Sequence, residues 1–307
     1  MFEDIKKNKI KSGFIVSGFI LMITLIIYYI CMALDFDGPT AVIIAMLFSI
    51  ITTFASYYNS DKIILASCRA KPATEEENRK LVHILDALMI SSGLSHRPGL
   101  YVIDDPQPNA FATGRNPDHS IICVTTGLLE KMEYYELEGV LAHEMGHIKN
   151  YDILLTSVVT VMVGFLVMVS DIFSRSMFYR GSGRSRDKDN DGNAILMIIG
   201  LVLLIVSPIL GKIMQMALSR QREYLADATA AEITRNPQGL ISALRKLDSD
   251  PNELQSANKA TANLYIVTPF RNKKDGRRKA GLFDTHPSID DRIAALENIQ
   301  WEKTKEK

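Results

Sequence analysis

The stretch of sequence that decides the fold is Leu141-Ala-His-Glu-Met-Gly-His147, in which two histidines flank a glutamate at the spacing of a catalytic zinc motif. His143 and His147 are four residues apart, so on a helix they lie one turn apart on the same face and can bind a single ion. A catalytic zinc site keeps one position open for water, and the neighbouring Glu144 can accept a proton from that water. The motif therefore predicts metal-assisted hydrolysis.

The residues around the motif indicate a helix. Apolar residues recur at spacings of three and four between positions 136 and 150, which describes one buried helical stripe. The stripe consists of Leu137, Val140, Leu141, Met145 and Ile148. Two surface histidines on a helix that binds no metal are the alternative interpretation, and the stripe together with the motif favours the metal site.

A mononuclear site needs a third ligand, and Arg222-Glu-Tyr-Leu-Ala-Asp227 is the strongest candidate to supply it. Glu223 and Asp227 are four residues apart, so a helix places both carboxylates on one face. One of them can bind the metal, and the other can hold a ligand histidine through its second ring nitrogen. We predict Glu223 as the third ligand and Asp227 as that support. An acid pair considered alone more often forms a solvated helix face, but the upstream motif favours the metal site.

The order of motifs resembles the HtpX-type integral-membrane zinc metalloproteases. The matching parts are the HEMGH motif, the Glu-x-x-x-Asp motif after a hydrophobic interruption, His286-Pro-Ser-Ile-Asp-Asp-Arg292, and Asn109-Ala-Phe-Ala-Thr-Gly114. The resemblance covers nearly the whole chain. It implies a protein quality-control endopeptidase that binds one zinc ion through the two motif histidines and Glu223, with Glu144 as general base. The related CaaX prenyl proteases share the catalytic motifs but are larger, which disfavours their substrate class here.

The resemblance also implies roles for residues outside the metal motifs. His286 is a candidate to stabilise the oxyanion that develops on the scissile carbonyl, with Arg292 in support. A histidine that caps a helix and an arginine in a surface ion pair are the alternatives. A strand upstream of the zinc helix would line the substrate cleft and bind an extended peptide at its edge, unless it is an ordinary strand of a small sheet. The residues predicted to bind substrate are Asn109, Ala110, Phe111 and Ala112.

Four hydrophobic stretches free of charged residues predict membrane helices. Residues 14–34 and 38–60 contain 21 and 23 residues, each enough to cross a hydrocarbon core of about 30 Å. Residues 153–170 and 194–211 contain 18 each, which is near the lower limit. Ser207-Pro208 would kink the last stretch, so a buried hairpin that enters the membrane without crossing it is an open alternative. The sequence predicts about four transmembrane helices.

The charges of the short loops predict the orientation in the membrane. Four lysines precede the first stretch, whereas the turn at 35–38 has no Lys or Arg, so the N-terminus is predicted to be cytoplasmic. Two crossings then return the chain to the cytoplasm before the HEMGH motif, and an even number of further crossings lets Glu223 reach the same side. Five basic residues in the loop 171–193 oppose the positive-inside tendency and weigh against the third and fourth spans.

The remaining segments predict an α+β domain of the zincin type, interrupted by the second hydrophobic pair. Acidic residues after Thr74 predict a helix start, and the β-prone runs 99–103 and 121–125 predict a small sheet. If the zinc helix continued to Asp152, that carboxylate would point away from both histidines, so we interpret it as the membrane boundary. The predicted parts are a basic cytoplasmic N-terminus at 1–13, a transmembrane hairpin at 14–60, the first part of the catalytic domain at 61–152, a second membrane hairpin at 153–211, and the second part of the catalytic domain at 212–307.

Charge and cysteine content exclude other classes of protein. Lys plus Arg and Asp plus Glu both number 35, which argues against a nucleic-acid partner. Three scattered cysteines do not form a disulfide framework and fit a reducing, cytosolic environment. The prediction is a multi-pass protein of the cell membrane whose catalytic domain faces the cytoplasm and cleaves misfolded or membrane proteins. The alternative is a membrane scaffold or chaperone-like protein with a structural zinc site.

Overall fold

The structure is a computed structural model that describes the chain on both sides of residues 165–219. The described residues are 2–33, 35–164, 220–252, 254, 256, 261–267 and 287–305. The hydrophobic stretch 194–211 and the predicted catalytic residue His286 lie outside them.

Helices dominate the described residues, and one small sheet lies among them. The helices are α1 Phe2–Ala33, α2 Gly38–Tyr58, α3 Ser60–Cys68, α4 Arg79–Ser92, α5 Thr126–Lys131, α6 Tyr134–Lys149, α7 Asp152–Gly164, α8 Arg220–Thr234, α9 Pro237–Ser249 and α10 Ile289–Lys305. The strands are β1 Lys71–Pro72, β2 Gly99–Ile103, β3 Ala110–Asn116 and β4 His119–Thr125. A helix-rich α+β fold with a small sheet agrees with the predicted fold class.

The first two helices form an antiparallel hairpin. α2 begins where the Asp37 carboxylate accepts a hydrogen bond from the backbone N–H of Thr40 at 3.1 Å, with a proline in the first turn. Among the described helices, α2 is long and apolar enough to cross a membrane, and large side chains such as Ile51 are exposed on it. The apolar part of α1, Val16–Met32, and α7 are shorter. The predicted total of about four transmembrane helices is therefore not confirmed within the described parts of the chain.

α7 connects this hairpin to the rest of the protein. Phe19 and Ile23 of α1 form one buried cluster with Val159 and Met162 of α7. On its other side, the Ser157 hydroxyl lies 2.8 Å from the hydroxyl of a threonine in β3. The helix that follows the zinc motif is therefore in contact with both the N-terminal helices and the sheet.

The sheet has the order β1-β2-β4-β3, so β3 is an edge strand. β2 and β4 are parallel, whereas the other two pairs are antiparallel. The predicted strand 99–103 coincides with β2, and 121–125 lies within β4. β3 bends after Gly114, whose φ of 143° and close approach to the carbonyl oxygen of His119 exclude a side chain at this position.

The largest hydrophobic core of the described residues lies between the sheet and the helices α4, α6, α8 and α9. α4 starts later than predicted, at Arg79, because residues 75–77 form a turn. In that turn the Thr74 hydroxyl accepts a hydrogen bond from the backbone N–H of Glu77 at 3.3 Å. α6 contributes its apolar stripe to this core, so the HEMGH motif is held in a largely buried helix.

Candidate metal centre

α6 carries the HEMGH motif, and its predicted apolar stripe is buried, which confirms the helix. The helix begins where the carboxylate of Glu136 accepts a hydrogen bond from the backbone N–H of Glu133 at 2.8 Å. The same carboxylate binds the ammonium of Lys246 on α9 at 2.6 Å. Contacts to a second helix therefore fix the start of α6 and the direction in which the motif points.

The structure brings the three predicted ligand side chains to one place. The Nε2 atoms of His143 and His147 are 3.2 Å apart. Glu223 on α8 lies with one carboxylate oxygen 3.7 Å from the Nε2 of His143 and the other 3.6 Å from the Nε2 of His147. Among the described residues, this is the cluster whose donor atoms could hold a metal ion, since all lie within 4.8 Å of one another.

These distances fit a zinc ion. Four ligands placed at about 2.0–2.1 Å around tetrahedral zinc are roughly 3.4 Å from each other. The three distances between donor atoms, 3.2, 3.6 and 3.7 Å, are close to that value. Two imidazoles and one carboxylate form a donor set that is common for catalytic zinc and leaves a fourth position for water or substrate. The residues present therefore fit the predicted cofactor.

A glycine inside the motif allows Glu223 to reach the histidines. A side-chain carbon at Gly146 would lie 3.1 Å from both the Cα and the carbonyl oxygen of Ala226 on α8. That distance is tighter than ordinary van der Waals contact, so a larger residue would push the two helices apart. Close approach of α6 and α8 thus depends on the small pair Gly146 and Ala226.

His143 is held from behind by a buried ion pair. Its Nδ1 lies 2.9 Å from the Oδ1 atom of Asp227. Arg292 on α10 donates to both oxygens of this carboxylate, from Nε at 2.8 Å and from Nη2 at 2.7 Å. Asp227 and Arg292 are 1% and 0% exposed. A bidentate pair of this kind fixes the carboxylate, which in turn fixes the ring of His143 with Nε2 towards the ligand cluster.

His147 is held by a carboxylate that the sequence did not identify as part of the site. α6 ends at Lys149, and Tyr151 has a φ of 60°, so the chain turns sharply after the zinc helix. The Oδ2 atom of Asp152 then lies 3.2 Å from the Nδ1 of His147. The premise that the helix continues through Asp152 is wrong. Asp152 is the first residue of α7, and it also contacts the metal cluster.

The apolar pattern of the sequence contains no signal for this turn. Leu155, Val159 and Met162 lie 7, 11 and 14 residues after Ile148, so the hydrophobic run after the motif continues the helical phase of the α6 stripe. That pattern is compatible with one uninterrupted helix, and for this reason it did not bring Asp152 into the site.

Glu144 is buried next to this cluster, with 2% of its surface exposed. Burial raises the pKa of its carboxyl group to about 7, against the opposing effect of His147, and the negative charge of Glu223 adds to the rise. The backbone N–H of Ala112 in β3 donates a hydrogen bond to this carboxylate. A carboxyl group with a pKa near 7 can both accept and return a proton at neutral pH.

The two histidines differ in pKa. Burial lowers the pKa of His143 to about 4, and the charge of Arg292 acts in the same direction. Burial also acts to lower the pKa of His147, but the hydrogen bond to Asp152 and the charge of Glu223 outweigh it and raise the pKa to about 9. At pH 7 His143 is therefore neutral, whereas a metal ion that binds here would have to displace a proton from His147.

The residues predicted to bind substrate lie at the edge of the sheet, and a second segment covers part of that edge. The side-chain Nδ2 of Asn109 donates to the carbonyl of Val267 at 2.9 Å. The carbonyl of Ala110 accepts a hydrogen bond from the backbone N–H of Ile266 at 2.9 Å. Phe111 is fully buried against the ring of Tyr265. Ala112, in contrast, faces Glu144.

Arg292 lies behind the cluster. Besides its two bonds to Asp227, its Nη1 donates to the carbonyl of Ile266 at 3.2 Å and lies 3.5 Å from Glu223. The guanidinium thus joins the support of His143 to the segment that covers the edge of β3. The surface ion pair considered as its alternative is wrong, because the side chain is fully buried.

Comparison with known proteins identifies relatives over nearly the full length. Residues 75–300 match the peptidase family M48. A protease HtpX homolog of Thermoanaerobacter pseudethanolicus is 41% identical over 300 residues, which cover 97% of this chain and 98% of that protein. Another, from Dictyoglomus thermophilum, is 43% identical over 298 residues, which cover 96% and 93%. The solved structure of S. mikatae Ste24p is 20% identical, with a TM-score of 0.48 and coverage of 97% of this chain and 67% of that one.

The matched range contains both parts of the metal cluster, on either side of residues 165–219. It also covers more than two thirds of the sequence. The resemblance to HtpX-type proteases is confirmed by relatives that align from one end of the chain almost to the other. The chain belongs to peptidase family M48.

Proposed function

We propose that this protein is a zinc-dependent endopeptidase that hydrolyses peptide bonds of misfolded or membrane proteins at the cytoplasmic face of the cell membrane. The observation that carries the proposal is the convergence of His143, His147 and Glu223 beside the buried carboxyl group of Glu144. Family membership supports a metalloprotease. The donor set supports zinc as the metal.

Each residue of the cluster has a defined task. His143, His147 and Glu223 would hold one zinc ion, which supplies polarisation of the scissile carbonyl and lowers the pKa of water to about 7. Glu144 accepts a proton from the attacking water at its carboxylate and then donates it to the leaving amine nitrogen. Asp227 keeps the Nδ1 of His143 protonated, so its Nε2 faces the ion.

We propose that substrates bind as extended peptides along β3, which is an edge strand. The hydrogen bonds of Asn109 and Ala110 to the segment 265–267 limit where a peptide can pair with this strand. A substrate must therefore displace that segment or pair with β3 closer to Ala112, where the strand approaches Glu144. The second position leaves the scissile bond next to the general base.

The oxyanion stabilisers remain proposals from the family motif. His286 lies outside the described residues, and its role rests on the matching His-Pro-x-x-x-x-Arg sequence alone. The guanidinium of Arg292 is hydrogen-bonded to Asp227 and to the carbonyl of Ile266, which supports a role in positioning His143. Arg292 would then act on the reaction through His143.

The membrane arrangement is proposed on the sequence and on α2. The exposed apolar surface of α2 supports insertion in a bilayer. The hydrophobic stretches indicate a membrane hairpin at 153–211 that divides the catalytic domain. The basic N-terminus indicates that the catalytic face is cytoplasmic. Accessibility of a single introduced cysteine on α9 to a membrane-impermeant reagent, in intact and in opened cells, tests the orientation.

The decisive experiment compares the full chain in detergent with its Glu144→Gln variant. Both are stripped of metal, given zinc, and incubated with an unfolded model protein. We expect zinc-dependent cleavage by the wild type and at least about a hundredfold slower cleavage by the variant, because a general base contributes roughly 10²–10⁴ in rate. Both should bind one zinc. Equal cleavage by the two proteins would reveal a contaminant, and zinc binding without cleavage by the wild type would favour the scaffold with a structural site.

A further inference from the structure

We infer that Asp152 is a positioning residue for the ligand His147 and that Arg222 assists it, so the first residue of α7 forms part of the metal centre. The inference concerns the same site as the proposed zinc peptidase and rests on that function. The sequence motifs of the site do not include Asp152, and its role is inferred from its contacts.

Asp152 is placed to fix the tautomer of His147. Its Oδ2 atom lies 3.2 Å from Nδ1, on the side of the imidazole ring away from the ligand cluster. A carboxylate in this position accepts the Nδ1–H bond, keeps the proton on Nδ1 and leaves the lone pair of Nε2 directed at the metal. Because Asp152 contacts the far ring nitrogen, it does not compete for the ion itself.

The carboxylate is held in place by burial and by charge. Asp152 is 2% exposed, and its Oδ1 atom lies 3.7 Å from the Nη1 of Arg222, at the start of α8. The next residue along α8 is the ligand Glu223. Asp152 and Arg222 thus form an ion pair beside His147, as Asp227 and Arg292 do beside His143, but their contact is a single one at 3.7 Å, whereas Arg292 binds both oxygens of Asp227 at 2.7 and 2.8 Å.

The backbone also contributes to this position. Tyr151 adopts a left-handed conformation, with φ of 60°, and this residue directs the chain back under His147. The carbonyl of Asp152 accepts a hydrogen bond from the hydroxyl of Thr156 one turn later at 3.1 Å, so Asp152 is also anchored in α7. α7 in turn packs against α1 through Val159. The orientation of His147 is thereby coupled to the helices that surround α7.

The test measures metal binding by the full-length chain in detergent, without using turnover. Zinc affinity is determined by competition with a chelator, and the visible spectrum of the cobalt(II)-loaded protein reports the geometry of the ligands. We expect Asp152→Ala to weaken zinc binding by about 10–100-fold and to shift the cobalt bands. Asp152→Asn should restore part of both, because its amide oxygen can still accept the Nδ1–H bond. Arg222→Met should have a smaller effect than Asp152→Ala.

A matched control distinguishes positioning from general loss of structure. Asp250 is also a buried aspartate with a cationic partner, Lys131, at 2.5 Å, and it lies outside the metal cluster. Asp250→Asn should leave zinc affinity and the cobalt spectrum as in the wild type. If Asp152→Ala failed to fold, the comparison of Asp152→Asn with Asp250→Asn would still decide the question.

The outcomes separate this inference from the proposed function. Wild-type affinity and an unchanged cobalt spectrum in a folded Asp152→Ala protein would overturn the positioning role, even if the wild type cleaves proteins. Weakened binding and shifted bands would support that role, even if no protein substrate is cleaved by the wild type and the peptidase proposal fails.

Discussion

The two histidines that we propose as metal ligands receive the same kind of support from different parts of the chain. His143 is held by Asp227 and Arg292, which lie on α8 and α10 and are fully buried, with bonds of 2.7–2.9 Å. His147 is held by Asp152, five residues further along the chain, through a longer contact of 3.2 Å, and the side chain of His147 itself is 16% exposed.

The two sides of the proposed metal centre therefore contribute differently to folding and to metal binding. The His143 side is assembled from distant segments, so its ion pair contributes to the closure of the whole catalytic domain. On the other side, the contact between Asp152 and His147 is local, at the turn between α6 and α7. Only the longer contact from Arg222 reaches it from α8, and His147 stays partly accessible. We expect changes on the first side to affect folding and metal binding together, and changes on the second side to affect mainly the metal.

The largest expected effect is on the His143 side. Asp227→Ala leaves the guanidinium of Arg292 buried without its main partner, and the loss of one member of such a pair costs roughly 3–5 kcal/mol. We expect a much lower unfolding midpoint even without zinc, together with loss of zinc binding, measured by thermal unfolding in detergent and by metal content.

The control for this change is the exposed ion pair between the adjacent helices α9 and α10. Arg245 and Glu297 are 3.0 Å apart, but their side chains are 61% and 46% exposed. Arg245→Ala should change the free energy of unfolding by less than about 1 kcal/mol. If Asp227→Ala were as mild as this control, the buried pair would not be part of domain closure, and the contrast between the two histidines would lose its basis.

A smaller effect is expected from Gly146→Ala, which changes the spacing of α6 and α8. The added carbon would lie 3.1 Å from Ala226, and overpacking of a close contact costs roughly 1–3 kcal/mol. Since α8 carries both Glu223 and Asp227, moving it should weaken zinc binding and disturb the support of His143 more than that of His147. Chelator competition and unfolding measure the two effects.

Gly13→Ala provides the comparison, because a side-chain carbon at Gly13 meets nothing within 4 Å. Replacing this helical glycine should be neutral or slightly stabilising. Unchanged zinc affinity in Gly146→Ala would contradict the close approach of the two helices as the reason why Glu223 reaches the cluster.

The last test measures how the affinity for zinc depends on pH. His147 has its pKa raised to about 9, so it carries a proton at pH 7 that zinc must displace, whereas His143, with its pKa lowered to about 4, is already neutral. Apparent zinc affinity should therefore rise as pH increases towards 9, by up to about tenfold per pH unit for one released proton. Asp152→Asn should flatten this dependence, because the charge that favours the proton is gone. An affinity that is constant between pH 6 and 8 would show that His147 is not protonated before the metal binds.

The sequence was sufficient to predict the parts of this site that depend on local spacing. His143 and His147 must share a helical face, and so must Glu223 and Asp227, because four residues correspond to about one helical turn. The strand at 99–103 was predicted for a similar reason, since its apolar residues are bounded by turn-forming ones. The roles of His143, His147 and Glu223 as metal ligands stay a proposal.

Other features could not be obtained from spacing. Arg292 reaches Asp227 only when α10 has closed against α8, and no local pattern encodes that contact. The hydrogen bond between Ile266 and Ala110 joins segments that are far apart in sequence. Asp152 was misjudged because one left-handed residue, Tyr151, changes the direction of the chain. In each case the outcome depended on tertiary contacts or on a single backbone angle.

The order of the site residues along the chain also determines when the site can form during synthesis. His143 and His147 are made first, and Glu223 and Asp227 follow only after the long segment 165–219 has left the ribosome. Until α8 docks against Gly146, a nascent chain holds two of the three donors and lacks the carboxylate that orients His143. Under the proposed function, the emerging protein would therefore be unable to cleave itself or neighbouring chains before its own synthesis is nearly finished.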